Sequence, residues 1–337
     1  MAAVIGAALI VHRQWNQHEN LPYPTAQFFE SLLPDDNGEV RLFQERSFWI
    51  ASGVICSIHL FNYLAVCFPR YLPQIPLFFD FKPLGRAFRV FHQTPYWRIF
   101  DLRIYFSVIG FSYFMRRDVC FSLGIAPVVY YLVCGSLILA GLPVNFGYLS
   151  MALESKSEPF LFAGAWIAMF LAILYYGRYY YLRSLREACF PFGHMRSDGS
   201  TILGWRLFIV GEAGMIFLLT RIGVDWLVAL AYAFLALVIF VVLSRLVAEA
   251  GVLYIHPWFF PGVILWGFFG SAALGVKHIL VLLLITTMFL INPREVLMPF
   301  ASVGFKLADD RGIDLKRTVS WAAIVLILAI AVSIPVT

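Results

Sequence analysis

The sequence has few charged residues. Asp, Glu, Lys and Arg make up 13% of its 337 residues, against about 25% in soluble globular proteins. Apolar residues make up 61%, and the mean hydropathy is +0.80. This composition excludes soluble enzymes, disordered chains, collagen-like proteins and coiled coils. We expect a polytopic membrane protein, in which the formal charge of +5 reflects Lys and Arg of cytoplasmic loops rather than binding of nucleic acid.

Enzyme and metal-site motifs are also missing. The chain has no HExxH, GxSxG or P-loop pattern and no GxGxxG in a strand-turn-helix setting, so we do not expect an enzyme. The five cysteines form no CxxC pair, which predicts free thiols. His12 and His18 lie near Glu19, but a spacing of six fits no common ligand pattern. We interpret both histidines as surface residues and expect neither a metal nor a cofactor.

Long uncharged runs predict the membrane spans. They are continuous rather than alternating, which indicates helices and excludes a barrel, and most approach the length that a helix needs to cross a bilayer. The predicted fold is therefore all-α: a polytopic transmembrane helical bundle with about eight spans. The runs are Ser47–Phe68, Val119–Leu142, Pro159–Gly177, Leu207–Thr220, Trp226–Leu243, Pro261–Val276, Ile279–Ile291 and Val319–Thr337.

A shorter apolar segment, Ile104–Met115, covers only about 18 Å as a helix. If it crosses the membrane, the loops on the two sides carry 16 and 9 of the 25 Lys and Arg residues; if it returns to the same side, they carry 19 and 6. The positive-inside rule prefers the stronger asymmetry. We therefore expect a re-entrant or interfacial half-helix, with residues 12–46 outside and the segments 178–206 and 294–317 in the cytoplasm.

The apolar runs at the two chain ends resemble helices that have been cut short. Met1–Val11 is about half the length of a span, and Val319–Thr337 stops without a following polar residue. We expect residues 1–337 to form a single integral membrane domain that is a fragment of a larger membrane protein. The expected partners are the lipid bilayer and either a missing N-terminal half or a partner subunit.

Ionisable residues inside the membrane are costly and are therefore candidates for function. Glu212 stands alone in an apolar run between Gly211 and Gly214, where it could serve a proton or cation relay. Alternatively, it is a protonated residue that hydrogen-bonds across helices or pairs with an arginine.

Arg245 and Glu249 are four residues apart and therefore share a helix face. Gly251 then predicts the end of the helix. A helix that ends beside an ion pair is typical of the discontinuous helices at transporter binding sites; an interfacial salt bridge at a helix end is the alternative. Asp225 is predicted to lie at the N-terminus of the same helix, where the helix dipole favours a negative charge.

Several short motifs resemble a known family in the same order along the chain. They are Arg13-Gln-Trp15, Glu19–Pro24, Phe48-Trp49, Phe121-Ser122, Arg245 with Ala248-Glu249 and Gly251, and Arg294 with Met298-Pro299 and Lys306–Ala308. Together they resemble a bacterial polytopic membrane family known only as paired domains of unknown function. The Glu19–Pro24 stretch is also similar, more distantly, to oligopeptide transporters.

This resemblance implies a secondary transporter, or part of one, for peptides or metal chelates. It also implies a multi-pass protein of the bacterial inner membrane. We expect Glu212, Arg245, Glu249 and Gly251 to lie on the substrate or ion pathway. The alternative is a membrane scaffold or accessory subunit that transports nothing.

Overall fold

The structure, a computed structural model, describes residues 1–35, 38–92, 94–95, 97–142, 144, 157–190, 198–252, 255–290 and 296–333. The chain divides into two compact units, Met1–Ala26 with Gly147–Thr337, and Gln27–Phe146. Within the described residues, seven helices are long and apolar enough to cross a membrane, so the predicted all-α transmembrane bundle is confirmed. All five cysteines are free, as predicted.

The first unit contains nine α-helices and one π-helix among its described residues. They are α1 (Ala2–Arg13), the π-helix Gln14–His18, α9 (Ser157–Tyr176), α10 (Arg178–Cys189), α11 (Gly199–Arg221), α12 (Trp226–Ala250), α13 (Pro261–Phe269), α14 (Ser271–Phe289), α15 (Leu297–Asp310) and α16 (Leu315–Ser333). Helix α2 (Pro24–Leu32) begins in this unit and continues into the second.

The second unit has two long apolar helices, α4 (Arg46–Cys67) and α8 (Arg117–Leu139). The remaining elements are short: α3 (Arg41–Gln44), β1 (Phe78–Asp80), α5 (Lys82–Ala87), the 3₁₀-helix Arg89–Phe91, α6 (Trp97–Phe100), β2 (Asp101–Arg103) and α7 (Phe106–Ser112). The two strands pair antiparallel, with Phe78 opposite Arg103. A short helix thus occurs where Ile104–Met115 predicts one.

Helix α12 forms the centre of the first unit. In its most apolar stretch 61% of the residues are buried, against at most 22% in the other six candidate spans. Helix α1 is also enclosed, since every residue from Ile5 to His12 is buried. The first unit therefore builds its core around one spanning helix and one short N-terminal helix.

Helices α1 and α11 approach each other through glycines. A Cβ atom on Gly6 would lie 2.5 Å from the backbone nitrogen of Phe208 and 2.6 Å from the carbonyl oxygen of Gly204. On Gly211 it would lie 2.3 Å from the backbone nitrogen of Ala3. Small residues that allow such backbone contact are a common means of helix association in membranes.

Two predicted spans are rearranged around glycines. The runs Pro261–Val276 and Ile279–Ile291 become the 9-residue helix α13 and the 19-residue helix α14, which is why seven candidate spans are found rather than about eight. The break falls at Gly270, with φ 82° and ψ 157°, and Gly275 has φ 72°. These conformations are costly for any residue with a side chain.

The predicted sidedness of the N-terminal segment is wrong. Asn16 bonds to Asp309, Glu19 to Arg245, and the ring of His18 contacts that of Tyr180. Tyr180 and Asp309 belong to the segments 178–206 and 294–317, which were expected on the opposite side. The positive-inside rule compares only the numbers of Lys and Arg on the two sides of the membrane, so it carries no information about contacts between distant segments.

These contacts also bear on residues 104–115, which the sequence predicts as a re-entrant or interfacial half-helix. If only α4 and α8 crossed between Pro24 and Ser157, the N-terminal segment and the start of α10 would be on opposite sides, whereas His18 contacts Tyr180. The alternative in which residues 104–115 also cross, which makes the number of crossings odd and leaves 16 and 9 Lys and Arg residues on the two sides, is compatible with this contact.

Cysteine labelling tests this topology. In a variant with the five native cysteines replaced by alanine, the exposed residues Arg89 and Arg186 are changed singly to cysteine. A membrane-impermeant maleimide should modify Arg89→Cys and Arg186→Cys from opposite sides of sealed vesicles. Labelling from the same side would contradict the odd number of crossings.

The close contact of α1 with α11 predicts a position-specific loss of stability. Gly6→Ala inserts a methyl group against the backbone of α11 and should lower the free energy of unfolding by about 1–3 kcal/mol. Gly214→Ala is the matched control, because a Cβ atom there has no neighbour within 4 Å. Thermal unfolding in detergent measures both; equal melting temperatures for the two variants would contradict the packing.

Candidate functional site

Helix α12 presents Arg245 and Glu249 near its C-terminal end. Asp225 caps the start of the helix by accepting a hydrogen bond from the Leu227 amide, which confirms that prediction. Gly251 ends the helix in the left-handed conformation, with φ 69°. Arg245 Nε donates to Glu249 Oε2 at 3.0 Å, so the predicted pair forms.

Glu19 is a third member of this group. Arg245 Nη1 donates to Glu19 Oε2, and Gln14 Nε2 donates to Glu19 Oε1 at 3.1 Å. The side chains of Arg245 and Glu19 are 14% and 18% exposed, against 36% for Glu249. Since two carboxylates share one guanidinium, the three side chains carry a net formal charge of −1. We call Glu19, Arg245 and Glu249 the charged triad.

Aromatic side chains enclose the triad. The guanidinium of Arg245 lies 5.5 Å from the ring centroid of Trp15, which is fully buried. The hydroxyl of Tyr23 is buried and has no hydrogen-bond partner in the part of the chain that the structure describes. Burial raises the pKa of the Tyr23 phenol above its ordinary value. The hydroxyl therefore stays protonated at neutral pH and keeps its proton available for a hydrogen bond.

The backbone around the triad is irregular. Residues 14–18 form a π-helix, and Asn20 and Tyr23 have positive φ angles of 50° and 44°. The Tyr23 amide donates to the Ala248 carbonyl at 2.9 Å and so satisfies an acceptor in the last turn of α12. Both π-helices and strained backbone conformations concentrate at functional sites.

A second polar group lies on the neighbouring turn of α1. Asn16 Nδ2 donates to Asp309 Oδ2 at 2.5 Å, and His12 Nε2 lies 3.5 Å from the same oxygen. The interpretation of His12 as a surface residue is wrong, because it is 2% exposed, whereas His18 is exposed as expected. No cluster of three His, Cys, Asp or Glu side chains suited to a metal occurs among the described residues.

Glu212 does not join the triad. It is half-buried in α11, beside Gly211, whose neighbour on α1 is Ala3. Trp15, which contacts Arg245, lies twelve residues after Ala3. The surroundings of Glu212 and of the triad are therefore about 18 Å apart along the N-terminal helix. No described residue forms a hydrogen bond or ion pair with Glu212. Its role on a pathway stays a prediction.

The contact of Arg245 with Glu19 could not be predicted from the local sequence. Because Arg245 and Glu249 already pair one turn apart, there was no reason in the sequence to expect a second carboxylate from 226 residues away. The available signal was the resemblance itself, because the stretches 13–24, 245–251 and 306–308 that carry it lie beside one another in the fold. Arg294, from the same motif set, lies outside the described residues.

The fold and the charged triad define a multi-pass α-helical membrane protein with a partly buried ionic cluster at one end of its helices. The chain belongs to the family of unknown function DUF6785, whose model matches residues 1–337. No curated protein and no solved structure matches the chain. Membership of a family of unknown function is thus confirmed, whereas the bacterial origin and the likeness to oligopeptide transporters stay predictions.

Removing the arginine of the triad should destabilise the fold. Arg245→Gln leaves Glu19 and Glu249 without a counter-charge and should lower the free energy of unfolding by about 3–5 kcal/mol. Arg116→Gln is the control. Both side chains of the Arg116–Asp118 pair are exposed, so the loss in free energy of unfolding should stay below about 1 kcal/mol. Unfolding in mixed micelles measures both.

A double variant separates lost charge pairing from general damage. Arg245→Gln combined with Glu19→Gln removes one charge of each sign, so it should recover part of the stability that Arg245→Gln alone loses. Strictly additive losses would show that Glu19 and Arg245 are not coupled.

Proposed function

We propose that the protein is a secondary membrane transporter, or part of one, and that the charged triad lies on its substrate or ion pathway. The observation that carries this proposal is a partly buried cluster with two carboxylates for one guanidinium, placed where α12 ends and the facing backbone is irregular. Charged side chains that membrane proteins withdraw from water are costly and often mark ion or substrate paths. Interrupted helices beside such charges form the binding sites of many transporters.

Peptide-like solutes and metal chelates are the proposed substrate classes. They follow from the resemblance of Glu19–Pro24 to oligopeptide transporters, which is an analogy of sequence. The triad has chemistry compatible with both classes: carboxylates suit a cationic amino group, and the Tyr23 hydroxyl and the guanidinium suit an acceptor. The same resemblance supports a location in the bacterial inner membrane.

Uptake into proteoliposomes tests the proposal. Reconstituted protein should accumulate radiolabelled tetra-alanine or ferric citrate under an imposed proton or sodium gradient, above the level in empty liposomes. Glu19→Gln and Glu249→Gln should each abolish most of this uptake, because they remove the charge that the pathway requires. Asp118→Asn, which changes an exposed carboxylate of α8, should transport as the wild type does.

Folding controls make the result interpretable. Each variant should elute as a single species and keep a cooperative melting transition before its uptake is compared. Uptake by the wild type that does not exceed empty liposomes for either probe would contradict transport of these two classes. It would favour the alternative of a scaffold or accessory subunit, which should instead co-purify with partner proteins.

A further inference from the structure

A cleft of about 390 Å³ opens beside the start of α10. It is lined by Arg13, Gln14, His18, Tyr176, Gly177, Tyr179, Tyr180 and Arg183. Its volume lies within the range of about 300–1,000 Å³ that is common for ligand sites. Two arginines and a histidine line it together with tyrosines, and no carboxylate belongs to its described lining. The chemistry of the cleft is therefore that of an anion site with aromatic walls.

Both arginines keep donors available for a ligand. Arg13 uses Nε to donate to Gln17 at 2.8 Å, and Arg183 uses Nε to donate to Glu187 at 3.1 Å. The terminal amino groups of both guanidiniums make no hydrogen bond to a described residue. A guanidinium binds two oxygens of one phosphate through such paired donors.

Tyrosines place the cleft at the level of lipid headgroups. Five of them surround the junction of α9 and α10: Tyr175, Tyr176, Tyr179, Tyr180 and Tyr181. Tyr176 and Tyr179 are each 76% exposed at the end of an apolar helix, as in the aromatic belts of membrane proteins. Arg178 stacks on Tyr175 and Tyr179, with its guanidinium 4.2 and 4.6 Å from their ring centroids.

Gly177 keeps this junction narrow. A Cβ atom there would lie 2.3 Å from the ring of Tyr181, so a side chain would displace the tyrosine from beneath the cleft. The shape of the cleft therefore depends on a glycine between two helices. A basic pocket at such a helix junction, on the side richer in Lys and Arg, is typical of sites for anionic headgroups.

We propose that this cleft binds the phosphate group of an anionic phospholipid headgroup, with Arg13 and Arg183 as its ligands. The shared chemistry is that of a phosphate ester, which a soluble metabolite also carries. The aromatic belt favours the lipid source, since it holds the cleft where headgroups lie. The proposal is independent of transport, because it rests on other residues than the charged triad.

Native mass spectrometry of the detergent-solubilised protein tests the proposal. The wild type should bind dioleoylphosphatidylglycerol in preference to the neutral dioleoylphosphatidylcholine. Arg13→Gln combined with Arg183→Gln should weaken phosphatidylglycerol binding about thirtyfold, since each arginine near a membrane surface contributes about fivefold. Arg116→Gln combined with Arg221→Gln removes the same charge elsewhere and should bind as the wild type does. Equal binding by the two double variants would overturn the proposal.

A competition experiment with the wild type separates the two sources and does not depend on any variant. Glycerol 3-phosphate should displace phosphatidylglycerol only at concentrations far above that of the lipid, because it lacks the acyl chains that the belt accommodates. Binding of glycerol 3-phosphate without binding of phosphatidylglycerol would assign the cleft to a soluble phosphate ester and overturn the lipid assignment. Binding of neither would overturn the site.

Discussion

The partial burial of Arg245 is the constraint on which the first unit depends. A guanidinium that is largely withdrawn from water costs free energy unless carboxylates compensate it. Glu249 supplies one from the next turn of α12, and Glu19 supplies the other from a segment 226 residues earlier. The second contact holds the segment that follows α1 beside the C-terminal end of α12, so one ionic interaction helps to determine where the start of the chain packs.

Close packing then holds α1 in that place. Gly6, Gly204 and Gly211 remove the side chains that would keep α1 away from α11. Polar contacts at the end of α1 determine which end lies beside Arg245, because Asn16 and His12 reach the same oxygen of Asp309. Apolar contact between glycine-rich surfaces is tolerant of sliding, whereas the hydrogen bond from Asn16 to Asp309 is not. The two kinds of interaction together specify a single register.

Sequence arguments succeed here where the deciding interaction is local. Continuous apolar runs predict helices, Asp225 and Gly251 mark the ends of α12, and Arg245 pairs with Glu249 one turn away. Such predictions fail where the deciding interaction joins distant segments. This is the case for the contact of Arg245 with Glu19, for the burial of His12 and for the sidedness of residues 12–46. The break at Gly270 was also missed, because it interrupts a run that is apolar throughout.

Gln14 connects the charged triad with the cleft at α10. Its amide donates to Glu19, and its side chain also lines the cleft beside Arg13. Gln14 begins the π-helix, whose hydrogen bonds join residues five apart rather than four, as from the Glu19 amide to the Gln14 carbonyl. An anion in the cleft would add negative charge close to a triad that already carries a net −1. The binding of an anion in the cleft and of a ligand at the triad would therefore be thermodynamically linked, each changing the other by the same free energy.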